Sequence, residues 1–69
     1  MIAHNVLART TIDEMIDVVF CEIENEATPY VTWLFNKKDN GLHLGHYYRD
    51  REMARNDYVM RVLMKQSKF

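Results

Sequence analysis

Two histidines, His43 and His46, one cysteine, Cys21, and the carboxylates between Asp13 and Glu26 are the side chains of this sequence that invite a chemical reading. An H-x-x-H pair can bring two imidazoles onto one metal when it lies on a helix, where residues three apart share a face. The residues around His43 and His46 are those of a strand, in which side chains alternate, so the pair is expected to divide into an exposed His43 and a partly buried His46. A third ligand would have to arrive from His4 or Cys21, and no cysteine–histidine cluster has zinc-type spacing. Cys21 is the one obvious nucleophile, and Asp17, Glu22 and Glu24 around it disfavour the thiolate that a reactive cysteine needs. The only glycines, Gly41 and Gly45, make no phosphate-binding loop. The carboxylates read as a solvated helix face, without the burial that fits a general acid for its task. The expectation is a protein that is not an enzyme and uses neither metal nor cofactor.

Two charged surfaces remain. Asp13, Glu14, Asp17 and Glu24, with Glu22 and Glu26 beside them, form an acidic stripe with no base in the same segment. The acids near the C-terminal end of such a helix oppose its dipole and repel one another, so they call for compensation. Arg51, Arg55 or Lys65 of the last helix, solvent, or a protein partner with a basic surface would supply it. Arg61, Lys65 and Lys68 recur at i, i+4 and i+7, the spacing of a helix face that can follow phosphates, with Tyr47, Tyr48 and Tyr58 available for stacking. The overall pI of about 6.3 argues against nucleic acid as the main partner.

The elements that must carry these residues follow from periodicity and turn chemistry. Ile12, Met15, Ile16, Val19, Phe20 and Ile23 follow the spacing of an amphipathic helix, and Thr11 with Glu14 has the form of a capping box, so a helix is expected over Ile12 to Asn25, ended by Pro29. Aromatic and β-branched residues from Tyr30 to Tyr48, interrupted by Asn40-Gly41, predict a β-hairpin with Val31, Trp33 and Phe35 on one face. Leu42, Leu44, His46 and Tyr48 share a face of the returning strand. Phe35 must then oppose an even-numbered residue, through a four-residue loop, Lys38 to Gly41, in which Gly41 takes a positive φ. Asp50 caps a last helix from Arg51 to about Gln66. Residues 1 to 10 suit either a short helix or an added strand.

The fold class expected is thus α+β, one domain over residues 1–69, with helix, hairpin and helix in order and both helices packed on the Val31, Trp33, Phe35 face. At 69 residues, with one cysteine and no disulfide, such a domain is marginally stable alone. The apolar residues of the last helix cover an arc of about 200°. Val59, Val62 and Leu63 would face the sheet and leave Met53, Met60 and Met64 as a self-association edge, which points to a homodimer. Residues 1 to 26 hold one base and six acids, and residues 27 to 69 hold eight bases and four acids, so the halves are expected to attract. No apolar run could span a bilayer and Met1 to Arg9 lacks the form of a signal peptide, which, with the lone thiol, places the protein in the cytoplasm. The function expected is a small, non-catalytic protein–protein interaction protein that self-associates. The alternative is a nucleic-acid-related module, binding through the basic last helix or acting as an inhibitor of a nucleic-acid-binding protein through the acidic first helix.

Overall fold

The computed structural model describes residues 4–24 and 26–67. Four strands, β1 (His4–Thr11), β2 (Ile16–Ile23), β3 (Tyr30–Asn36) and β4 (Gly41–Tyr48), precede one helix, α1 (Arg51–Gln66). The strands form an antiparallel meander in the order β1-β2-β3-β4. The α+β class stands, but the order helix, hairpin, helix does not: the segment expected to be the first helix is β2, and residues 4–11 add the strand β1.

Why the helical spacing misleads is visible in the burial of β2. Asp17 through Cys21 are all buried, a continuous run that no one-sided helix produces. A central strand covered on both faces is apolar in succession rather than in alternation, and such a run also matches helical positions by chance. Val18 and Val19 add the β-branched stiffness that favours the strand. The apparent capping box is a hairpin turn, in which Asp13 Oδ1 accepts from the backbone N–H groups of Met15 (2.7 Å) and Ile16 (2.9 Å). Asn25, the expected helix end, lies outside the described residues.

The β3–β4 hairpin has the expected four-residue connection, shifted to Lys37–Asn40, and sets Phe35 opposite Leu42. Asn40, at φ 55°, takes the left-handed conformation that was expected of Gly41. Asp39 fastens this turn by accepting from Gly41 N at 2.7 Å. A bulge follows, where Leu44 adopts φ 53° and the register shifts between Thr32 and Leu34. It breaks the expected common face of Leu42, Leu44, His46 and Tyr48, because Leu42 opposes Phe35 whereas His46 opposes Thr32 and Tyr48 opposes Tyr30. The same shift removes the alternation between His43 and His46, which now oppose Leu34 and Thr32 on one side of β3.

Helix α1 has the expected bounds, with Asp50 Oδ1 accepting from Glu52 N at 3.0 Å. Its orientation is the reverse of expectation. It packs on the side of the sheet that holds Phe20, Thr32 and Leu34, through Ala54, Asp57, Tyr58 and Arg61. The Tyr58 ring lies 6.0 Å from that of Phe20, and its hydroxyl bonds Thr10. The opposite face, where Trp33 and Phe35 pack against buried Val19, Cys21, Ile23 and Val31, has no helix over it among the described residues. Gly45 is what lets the Trp33 indole lie across β4: a Cβ there would meet Trp33 Nε1 at 2.5 Å and Cδ1 at 2.9 Å. Gly45→Ala is therefore expected to cost about 1–3 kcal/mol, the range for forcing extra carbon into a packed site, measured by urea unfolding. An unchanged unfolding midpoint would contradict this packing.

Candidate functional site

The residues singled out from sequence separate in space. Asp13 and Glu14 lie in the turn before β2 and Glu24 just after it, all exposed, while Asp17 is buried within the strand. No acidic helix face exists, and the inhibitor reading built on one falls with it. Asp17 Oδ2 accepts from Arg9 Nε at 2.6 Å, and Lys37 Nζ stands 3.1 Å from Oδ1, which has no other partner among the described residues. Burial alone would raise the Asp17 pKa, but hydrogen bonds from Arg9, Lys37 and Thr11 and the Arg9 charge outweigh it and hold the carboxyl below the ordinary 3.8. The compensation for Asp17 thus comes from strand and turn residues.

The basic series also fails to form a track. Arg61 turns inward, donating from Nη1 to Thr32 O (3.0 Å) and Thr32 Oγ1 (2.9 Å) and from Nη2 to Leu44 O (2.7 Å). Lys65 is exposed and Lys68 lies outside the described residues. Tyr47 sits on the side of the sheet opposite to Tyr48 and Tyr58.

The polar stripe of α1, expected to face solvent, is the seat of the helix. Thr32, wholly buried, donates from Oγ1 to Asp57 Oδ2 at 2.6 Å, and His46 Nδ1 reaches the same oxygen at 3.0 Å. Burial raises the Asp57 pKa, while hydrogen bonds from Thr32 and His46 and the charges of His46 and Arg61 lower it, with a net value below 3.8. Burial, and then Asp57, push the Tyr48 hydroxyl up. This threonine, histidine and aspartate do not compose a nucleophile and its base: the hydroxyl is sealed beneath α1 and gives its proton to the carboxylate. His43 turns to Asp39 instead, Nε2 to Oδ2 at 3.2 Å, so the two histidines serve separate carboxylates. Among the described residues no group of three or more metal-ligating side chains occurs. Cys21 is buried in the core, where desolvation pushes its thiol up to about 11, so what disfavours its thiolate is packing and not the nearby acids.

Met53, Met60 and Met64 are exposed, as placed from sequence, but Val59 and Leu63, expected on the sheet, are exposed beside them. The division of α1 into a core-facing side and a methionine edge does not exist. The homodimer was inferred from the shortness of the chain and the wide apolar arc as well as from that division, and nothing in the architecture bears on oligomeric state. No helix of the described residues is long and apolar enough to cross a membrane.

What sequence reasoning did not find is the face that α1 leaves open. At one end of it Arg9 lies over the Phe35 ring, 4.8 Å from the centroid, and grips Asp17. At the other end a cavity of about 430 Å³ is lined by His4, Ile23, Glu26, Thr28, Trp33, Leu42 and Tyr47. The His4 ring stands at 70° to the indole with centroids 5.9 Å apart, and the Tyr47 ring at 90° and 6.1 Å. Trp33, His4 and Tyr47 come from three strands, β3, β1 and β4, and only the meander brings them together. The signal available in sequence was Gly45, a glycine inside a strand, which marks a close approach. Comparison with family models, with curated proteins and with solved structures finds no match in any of the three, so no activity is carried over from a relative.

Two outcomes test the polar framework. Thr32→Val keeps the shape but strips a donor from Asp57 and an acceptor from Arg61, and should lower stability to urea by about 1–3 kcal/mol; a loss under about 0.5 kcal/mol would contradict the polar seat. Asp17 and Asp57 both have folded-state pKa values below 3.8, so the stability they confer is complete above 3.8 and is lost as pH falls through those lower values. The urea midpoint should drop between about pH 5 and about pH 2, and drop less in Asp17→Asn; a midpoint constant over that window would contradict the ion pairing.

Proposed function

We propose that this chain is a small, non-catalytic protein–protein interaction module of the cytoplasm, and that it takes a basic segment of a protein partner on the open face of its sheet. The observation that carries this reading is the cavity between Trp33, Tyr47, His4 and Leu42. Tyr47 is 54% exposed and Leu42 40%, on a face whose inner layer is otherwise close-packed. Aromatic side chains joining an apolar body to a polar tip are the usual anchors of a recognition surface, and a recess among them gives a partner side chain somewhere to go.

The sign of the partner follows from what borders the cavity. Glu26 lines it and Glu24 is exposed in the same turn, whereas Arg9 and Lys37 are held on Asp17 at the other end of this face. A basic segment therefore meets the carboxylates of Glu24 and Glu26 beside the cavity. The non-catalytic part of the reading is supported by the sealing of Thr32 and Cys21 away from solvent. The cytoplasmic part is supported by the reduced thiol of Cys21, the only cysteine.

The test is an NMR titration with a short synthetic peptide alternating lysine and alanine, against the same peptide with glutamate for lysine. The lysine peptide should shift the Trp33 indole, Tyr47 and Glu26 signals, and Glu26→Gln should weaken binding about threefold, the size of one exposed charge pair. Shifts confined to the Met53–Met64 side of α1, or equal binding of both peptides, would contradict the reading.

A further inference from the structure

We infer that the cavity of the open face is an aromatic cage for an alkylated ammonium group, carried by an N-methylated lysine of the partner. The inference rests on the interaction reading above and names the group that this site would select. Trp33 is flanked by His4 and Tyr47 in edge-to-face contacts at interplanar angles of 70° and 90°, and all three rings line the cavity. Each π face carries partial negative charge, and a cation held against several of them is attracted by all, most strongly by tryptophan. Glu26 supplies a full negative charge at the same cavity, and Thr28 a single hydroxyl.

The same sheet face already seats a cation in this manner, the Arg9 guanidinium over Phe35 at 4.8 Å. No such cation is found over Trp33 or Tyr47 among the described residues. The preference for an alkylated group over plain lysine follows from hydration. A primary ammonium is compact, strongly hydrated and brings three N–H donors, and most of the side chains lining the cavity, Ile23, Trp33, Leu42 and Tyr47 among them, present mainly apolar surface. Methylation removes those donors and spreads the charge, so an aromatic cavity can strip its water at small cost while keeping the attraction of the rings. A volume of about 430 Å³ lies within the range of ligand pockets and leaves room for the head group and part of its alkyl stem.

The experiment measures binding of four probes to the whole chain by Trp33 fluorescence and by NMR. They are a lysine–alanine peptide with one central trimethyllysine, the unmodified peptide, the peptide with the uncharged tert-butyl isostere of that side chain, and tetramethylammonium alone. The trimethyllysine peptide should bind about tenfold more tightly than either the unmodified peptide or the isostere, the difference expected of a desolvated cation on aromatic faces. Tyr47→Ala, at an exposed position, should abolish the preference, Glu26→Gln should reduce it, and Met64→Ala on α1 should leave it intact. An isostere that binds as tightly as the cation would overturn the cage while leaving the peptide-binding reading in place. Equal binding of lysine and trimethyllysine would do the same. Shifts of Trp33 and Tyr47 by tetramethylammonium, with no peptide bound, would uphold the cage and overturn the protein partner. Silence from all four probes would overturn both.

Discussion

A sheet has two faces to cover, and among the described residues one helix is there to do it. Everything distinctive about the molecule follows from which face the helix takes. Because α1 lies over Phe20, Thr32 and Leu34, the other face must shield Val19, Cys21, Ile23 and Val31 with its own long side chains. Trp33 and Phe35 do so from β3, and Arg9, anchored on Asp17, reaches over Phe35. Shielding of this kind closes the core without producing a smooth surface. The rings of His4, Trp33 and Tyr47 meet edge to face, and beside them, bordered by Ile23, Glu26, Thr28 and Leu42, lies the cavity that is the candidate site.

The helix is held by a polar seat rather than by an apolar stripe. Asp57 and Arg61 meet the buried Thr32, and Arg61 also grips the carbonyl of Leu44 at the bulge of β4. A fully satisfied polar network contributes less stability than its gross interaction energy, because each group gave up water to enter it, but it penalises every misplacement of the helix. That penalty fixes α1 in one register and, through Leu44, ties the helix to the same stretch of β4 that carries Gly45 and Tyr47. The cost is that Met53, Met60, Leu63 and Met64 are each more than half exposed.

The parts of this structure that were legible in the sequence are those specified locally. The bounds of α1 follow from Asp50 and its apolar spacing, and the four-residue length of the hairpin loop, with Phe35 opposite an even-numbered residue, follows from side-chain alternation, although the loop lies one residue earlier than expected. What escaped is decided by tertiary contacts. The run from Ile16 to Ile23 satisfies both helical spacing and a doubly buried strand, and only the presence of β1 as a neighbour resolves it. The side of α1 that faces inward could not be read from hydrophobicity, since a buried threonine partner makes Asp57 and Arg61 the inner residues. The bulge at Leu44 moved His46 and Tyr48 to the helix side, and no residue type at that position announces a left-handed leucine. The aromatic cavity depends on all these choices together, and was therefore invisible as a motif.

The central claim is that α1 covers the Thr32 side and leaves the Trp33 side open. Nuclear Overhauser contacts in the free protein test it most directly, because Tyr58 and Trp33 lie on opposite sides of the sheet. The account predicts cross-peaks from the Tyr58 ring to Phe20 and Thr10, and none from any α1 side chain to the Trp33 indole. Cross-peaks joining Val59, Val62 or Leu63 to the indole would show the helix on the other face, and with it the open aromatic surface would cease to exist.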